Sequence, residues 1–293
     1  MPEKYSFGLL GYPLGHSLSP KIHAAALNAH NLQGEYKLFP IKDEADLPGL
    51  IDLLREGMLH GLNVTIPYKS TLINFLDDLT PTARSIGAVN TISRQRNHLI
   101  GENTDAGGFL ADLGRLDWFP DTDQRRHALL LGAGGSARAV AYALGKRGWQ
   151  LTVAARRLEQ AEQLVRSLSG VKSGERAQLL AECIPFDRGA LSAVQHTPDL
   201  IINTTPLGMS PYDDVSPWPG DLAIPPQAAV YDLVYNPFDT QFTRNAGAAG
   251  LRAASGIGML VEQAALSFEI WTGLPAPRAE MHASIAAHGT GVK

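Results

Sequence analysis

The sequence predicts an α/β protein of two domains, and three observations carry that expectation. Short apolar, β-rich runs alternate with longer segments of helical spacing along the chain, the pattern of βαβ units around a mainly parallel sheet. The length, 293 residues, is about twice that of an ordinary domain. The alternation also restarts, because the charged, turn-forming stretch Asp117 to Arg126 is followed by a fresh apolar run, His127 to Leu131.

In the first hundred residues the expected strands are Ser6 to Gly11, Glu35 to Pro40, Gly61 to Thr65 and Ala88 to Ser93, with helices beginning at Pro20, Glu44 and Pro67. Ser19 before Pro20 is a helix-entry signal: a serine cap accepts an orphan N–H, and proline at the first helical position loses no hydrogen bond. After the restart the expected strands are Ala128 to Leu131, Leu151 to Ala154, Leu200 to Asn203, Val230 to Val234 and Arg252 to Ala254. A helix after Gly258 runs towards Thr272, and its apolar face of Met259, Leu260, Ala264 and Leu266 does not by itself say which domain it covers.

Composition excludes several classes of function. Hydrophobic residues make up 44% and charged residues 18%, a globular ratio that supports a sizeable core. The 25 Lys and Arg against 29 Asp and Glu give a net charge of −4 with no block of one sign, which argues against nucleic acid or an anionic membrane as partner. The single cysteine, Cys183, leaves no internal disulfide and too few soft ligands for a structural zinc, so no metal is expected and a reducing cytoplasm fits best. The first ten residues lack a secretion signal, and no segment reaches the roughly 20 apolar residues of a membrane span. The tail His288 to Lys293, with two glycines, reads as a frayed end.

The sharpest local motif is Leu129-Leu130-Leu131-Gly132-Ala133-Gly134-Gly135-Ser136-Ala137, a strand, a Gly-x-Gly-x-x-Ala turn and a helix start. Gly132 permits the tight turn, Gly134 lets the backbone approach a pyrophosphate, and Ala137 lets helix and strand pack closely. The free N–H groups of the helix start favour the anion. The next strand ends at Ala155-Arg156-Arg157, about 24 residues beyond Gly132. A carboxylate there would hold the ribose hydroxyls of NAD, whereas arginine neutralises the 2′-phosphate, so the pair predicts NADP. Otherwise the two arginines are solvated residues at a helix start.

In the first domain three polar clusters lie at expected strand ends or loop starts, where open α/β sheets place ligands. They are Ser17-Leu18-Ser19, Asn63-Val64-Thr65 with Lys69, and Asn90 with Asn103-Thr104-Asp105. Each has an ordinary explanation, Ser19 and Asp105 as helix caps, Asn63 and Asn90 as turn residues, Lys69 as an exposed helical lysine. Together, hydroxyls and amides suit a polyhydroxylated ligand, and a lysine beside an acid suits proton transfer.

These motifs, in this order, resemble the shikimate dehydrogenase family. The resemblance runs from Gly11-Tyr12-Pro13-Leu14-Gly15-His16-Ser17-Leu18-Ser19-Pro20 to Gly256-Ile257-Gly258-Met259-Leu260-Val261-Glu262-Gln263. It passes through Asn63 to Lys69, Gly87 to Thr91, Asn103 to Asp105, the Gly132 loop, Asn203 to Met209 and Tyr231 to Tyr235. It implies an α/β substrate-binding domain over 1–104, with the C-terminal helices of 257–293 returning to it. A Rossmann-like NADP-binding domain over 105–256 and an active site in the cleft between the two complete the implied architecture.

By the same resemblance Ser17, Ser19, Asn63, Thr65, Asn90, Asp105, Tyr235 and Gln263 hold shikimate or 3-dehydroshikimate, and Lys69 with Asp105 is the catalytic pair. Gly132, Ala133, Gly134, Gly135, Ser136, Ala155, Arg156, Arg157, Leu233 and Gly256 line the cofactor, and Met259 lies close to the nicotinamide. Family members often carry Asn-Arg-Thr where this chain has Ala155-Arg156-Arg157, which removes two phosphate hydrogen bonds and adds a charge. Relatives that accept quinate tend to carry threonine at the place of Ser19, so shikimate is favoured. The implied activity is NADP-dependent oxidation of shikimate and its reverse, a step of aromatic amino-acid biosynthesis, by a monomer or homodimer. A broader quinate/shikimate dehydrogenase, a silent NADP-binding regulator and a two-domain folate dehydrogenase are the alternatives.

Overall fold

The computed structural model describes residues 4–120, 125–168, 180–194 and 198–286, so the tail from His288 lies outside them. They form two compact units, Met1–Gly108 with Leu260–Lys293, and Phe109–Met259.

The first unit is built on β1 (Tyr5–Leu10), β2 (Gly34–Phe39), β3 (Gly61–Val64), β4 (Asp78–Leu79), β5 (Thr91–Gln95) and β6 (His98–Glu102). Its sheet runs β2-β1-β3-β5-β6-β4. The β1 pairings to β2 and β3 are parallel, whereas β5 pairs antiparallel with both β3 and β6. β4 pairs parallel with β6, so the sheet is mainly parallel, as expected, with β5 running against its two neighbours. Helices α1 (Ser19–Ala29), α2 (Leu47–Arg55), α3 (Pro81–Ile86) and the start of α4 (Asp105–Arg115) join the strands. In α2 the buried residues Leu47, Leu50, Ile51 and Leu54 repeat at helical spacing and meet Leu10, Leu62, Val64 and Ile92 in one core.

Three local expectations change. Pro67 does not open an α-helix: residues 66–70 are turns, followed by a short 3-10 segment, Thr71–Phe75. The Lys69 carbonyl, which a helix would give to its own fourth neighbour, instead accepts the Val89 N–H at 2.7 Å. Ser19 is not the cap of α1, because Leu18 holds that position and the Ser17 hydroxyl accepts the Ser19 N–H at 3.3 Å. The strand expected from Ala88 begins at Thr91, and β4, β6 and, in the second unit, β9 are additional.

The second unit contains β7 (His127–Leu131), α5 (Gly135–Lys146), β8 (Gln150–Ala155), α6 (Leu158–Ser167), β9 (Ala181–Pro185), α7 (Arg188–Val194), β10 (Leu200–Asn203), β11 (Ala229–Asp232), α8 (Gln241–Ala248) and β12 (Ala253–Ser255). Its sheet, β12-β11-β10-β7-β8-β9, is parallel throughout. The central strands β7, β10 and β11 are buried along their whole length, as strands covered on both faces must be. Strand order reverses at β7, which has β8 on one side and β10 on the other, and register aligns Leu131 with Asn203 and Asn203 with Asp232. Such a switch point opens a crevice beyond the carboxyl ends of the strands.

The last helices are α9 (Ile257–Thr272) and α10 (Arg278–Ala286). From Leu260 the chain is part of the first unit again. There Trp271 stacks on Phe7 with ring centres 4.6 Å apart and lies over Gly61, where a Cβ would collide with the indole, while α10 packs on α1. The unit boundaries fall inside α4 and α9, a few residues beyond the 104/105 and 256/257 positions expected from sequence. No helix among the described residues is long and apolar enough to cross a membrane.

Candidate active site

In the first unit Lys69 and Asn90, from two of the polar clusters, meet at Asp105, the first residue of α4. Lys69 Nζ lies 2.6 Å from Asp105 Oδ2, with side-chain exposures of 11% and 6%. Asn90 Nδ2 donates to Asp105 Oδ1 at 2.8 Å and lies 2.9 Å from Thr104 Oγ1. Asn90 Oδ1 accepts the Thr104 N–H at 2.7 Å. Asp105 does not serve as a helix cap: it is the first residue of α4, and the Asn103 side chain accepts the Ala106 N–H at 3.3 Å. The carboxylate is thereby left to the lysine and the amide. A buried lysine and carboxylate held this way can pass a proton to a bound ligand and stabilise charge that develops on it.

Asn63 sits behind this group, 4% exposed. Its Nδ2 lies within 3.1 Å of the Asn90 carbonyl, Thr91 Oγ1 and Ser267 Oγ, and its Oδ1 accepts the Tyr36 hydroxyl at 2.8 Å. Thr91 and Ser267 are not among the residues singled out from sequence. Ser267 stands four positions beyond Gln263 on α9, a spacing that puts both on one helix face. Gln263 Oε1 is 3.4 Å from Asn90 Nδ2, and Gln263 Nε2 donates to the Leu260 carbonyl. Ser19 is nearly buried at 6% exposure, and the hydroxyls of Ser19 and Thr65 make no hydrogen bond among the described residues, so both are available to a ligand.

Under Asn63 lies His23, fully buried, its ring stacked on Tyr36 at 4.3 Å with both ring nitrogens lacking a hydrogen-bond partner. Burial pushes its pKa down to about 3, with the nearby Asn63 side chain offsetting part of the effect. This histidine is therefore neutral at any ordinary pH.

In the second unit the Gly132 loop follows β7 with φ of +112°, and a Cβ there would come within 2.6 Å of Thr204 Oγ1. Glycine is needed on both counts. Gly134 caps α5 with no side-chain hydrogen bond, and the positive end of that helix, opening at Gly135, fits an anion. Arg156 and Arg157 are exposed just past β8 and make no ion pair among the described residues. Unpaired cations beside an uncapped helix start fit a phosphorylated dinucleotide, with Ala133 and the buried Ala155 supplying backbone alongside.

At the ends of β10 and β11, Asn203 Nδ2 donates to Asp232 Oδ1 at 2.8 Å and the Thr240 hydroxyl donates to Asp232 Oδ2 at 2.7 Å. The Val234 N–H also reaches Asp232 Oδ1, which ties down the segment carrying Leu233 and Tyr235. Burial raises the Asp232 carboxyl to about 6, the three donors opposing it. Gly256 lies against this segment, since a Cβ there would collide with the Leu233 carbonyl oxygen. Burial raises the Tyr235 phenol as well. Among the described residues no group of three or more His, Cys, Asp and Glu is gathered as for a metal ion.

Comparison with known proteins agrees across the chain. Residues 9–92 match the shikimate dehydrogenase substrate binding domain, and residues 256–285 match the shikimate 5'-dehydrogenase C-terminal domain. The shikimate dehydrogenase (NADP(+)) of Carboxydothermus hydrogenoformans is 41% identical over 270 residues, 92% of either chain. The crystal structure of shikimate 5-dehydrogenase from Thermus thermophilus, in complex with NADP(H) and shikimate, superposes with a TM-score of 0.82 at 36% identity, covering 97% of this chain and 99% of that one. The ligand-free 5-ketofructose reductase of a Gluconobacter strain shares the fold at 27% identity, with a TM-score of 0.78 over 97% of this chain and 98% of that one. On the combined evidence of identity, coverage and matched domains, the chain belongs to the shikimate dehydrogenase family.

Proposed function

We propose that this chain catalyses the reversible reduction of 3-dehydroshikimate to shikimate with NADPH, and that Lys69 is its acid/base. The observation that carries the reading is the Lys69–Asp105 pair at 2.6 Å, nearly buried and fixed from behind by Asn90. NADPH, when bound, supplies hydride to the C3 carbonyl carbon. Lys69 stabilises the negative charge that develops on the C3 oxygen and delivers a proton to it; in the oxidative direction the neutral amine takes that proton back. Asp105 orients the ammonium and accepts from a ring hydroxyl of the substrate. The hydroxyls of Ser17, Ser19 and Thr65, with Tyr235, Asn90 and Gln263, fit the remaining hydroxyls and the carboxylate, and Asn63 orders Asn90 from below.

Cofactor selection rests with Arg156 and Arg157, whose charge favours the 2′-phosphate of NADP over the bare ribose of NAD. Fold alone does not fix the substrate, as the 5-ketofructose reductase shows for its own chain. The residues around Lys69 are the argument for shikimate. In this reading the first unit holds the substrate and the second the dinucleotide, in a cytoplasmic enzyme that works as monomer or homodimer.

The test is four initial rates, with shikimate or quinate and NADP or NAD, followed by the absorbance of the reduced nicotinamide. Turnover concentrated in the shikimate and NADP pair is the expected result. Strong quinate turnover would replace the reading with the broader dehydrogenase, and NADPH binding without any turnover would replace it with a regulator.

A further inference from the structure

Tyr231, on β11, is fully buried, and its hydroxyl donates to Asp112 Oδ2 at 2.6 Å. Asp112, on α4, is 1% exposed and holds Arg115 through Oδ1 at 2.8 Å. The same carboxylate lies on the first turn of α9. A Cβ on Gly258 would collide with both Asp112 carboxylate oxygens, so only glycine lets α9 start there. The next residue is Met259, 7% exposed.

A phenylalanine would fill the core of the second unit as well as Tyr231 does. The hydroxyl adds direction: it fixes one oxygen of Asp112, and the carboxylate in turn seats the positive end of α9. The rotation of that first turn sets where the Met259 side chain points. We propose that Tyr231 and Asp112 are positioning residues that aim Met259 at the nicotinamide face. This rests on the dehydrogenase reading above, in which Met259 is the residue beside that ring. Neither residue touches substrate or cofactor in this account, and both act through Met259.

The test is a double-mutant cycle on the full chain: the parent, Tyr231→Phe, Met259→Ala and both together, each assayed with shikimate and NADP and each titrated with NADPH while the nicotinamide fluorescence is followed. Expected are a roughly tenfold fall in kcat for Tyr231→Phe with KM for shikimate changed less than twofold, and a double variant no worse than Met259→Ala alone. Losses that multiply in the double variant, or an effect of Tyr231→Phe confined to KM for shikimate, would overturn the proposal. Where Tyr231→Phe does not fold, Asp112→Asn takes its place, keeping an acceptor while losing the charge, and coupling to Met259 below twofold again overturns it. A parent that binds NADPH but does not turn over shikimate sinks the dehydrogenase reading, and the fluorescence cycle then still decides whether Tyr231 is coupled to Met259.

Discussion

Asn90 donates through Nδ2 to Asp105 Oδ1 at 2.8 Å, and so holds the carboxylate whose other oxygen faces Lys69. The carboxylate cannot turn towards or away from the lysine without breaking that bond. A residue 15 positions earlier in the chain thus sets the geometry of the proposed proton-transfer pair.

Replacing Lys69 by alanine should lower kcat by about 10² to 10⁴, the range for removal of an acid/base group, with a smaller change in KM for shikimate. Steady-state rates for parent and variant decide it. Turnover within a few-fold of the parent would remove Lys69 from the chemistry.

Arg156→Ala should weaken NADP binding about ten- to a hundredfold, the cost of one charge-assisted hydrogen bond, and leave NAD binding nearly unchanged. Titration calorimetry with both dinucleotides measures the two losses separately. An equal loss for NAD and NADP would show that Arg156 does not read the 2′-phosphate.

His23 makes the fold sensitive to acid. Its folded pKa of about 3 lies below the ordinary 6.5, so the folded state binds fewer protons than the unfolded chain between those values. The stability that depends on its neutral ring is complete above pH 6.5 and is lost as pH falls towards 3, by roughly 5 kcal/mol at the limit. His23→Phe keeps a ring stacked on Tyr36 and cannot be protonated. Its Tm advantage over the parent should therefore widen from pH 7 to about pH 4, and parallel Tm curves would contradict the prediction.

Asp232 acts in the opposite sense. Its folded pKa of about 6 stands above the ordinary 3.8, so its contribution is greatest below pH 3.8 and is lost as pH rises through 6. The linked change is about 3 kcal/mol. Asp232→Asn should match the parent near pH 4 and exceed it in Tm above about pH 6.5, as followed by circular dichroism. A variant less stable than the parent at every pH would mean that the charged carboxylate is the form its donors require.

Sequence disclosed those parts of the fold that are written locally. The strand, glycine turn and helix from His127 to Lys146 need only neighbouring residues to be recognised, and so does α2, with its apolar stripe. The β5–β6 hairpin is hidden, because Arg96 holds the first turn position with φ of +57°, where glycine is the expected residue. The Pro67 segment departs from helix because a distant N–H, that of Val89, takes the Lys69 carbonyl.

The same division runs through the candidate site. Lys69 and Asp105 read as residue types that suit proton transfer and Asn90 as an amide that suits a hydroxylated ligand, but their mutual geometry comes from contacts across 15 and 36 positions of chain. Asn63 read as a turn residue, yet its bond to Ser267 spans 204 positions, a pairing that no periodicity can announce. Nothing in the sequence singles out Asp112 or pairs it with Tyr231, and only folding brings Asp112 onto both Tyr231 and Gly258.

Trp271, Ser267 and Gln263 belong to the first unit but are made after the whole of the second. During synthesis the second unit has its whole sequence available before the first does, although the first begins the chain. Until α9 emerges, Phe7 lacks its stacking partner and Asn63 lacks one of its acceptors. The first unit is thus completed after the second, and its proposed substrate site comes into being only once α9 has followed the second unit off the ribosome.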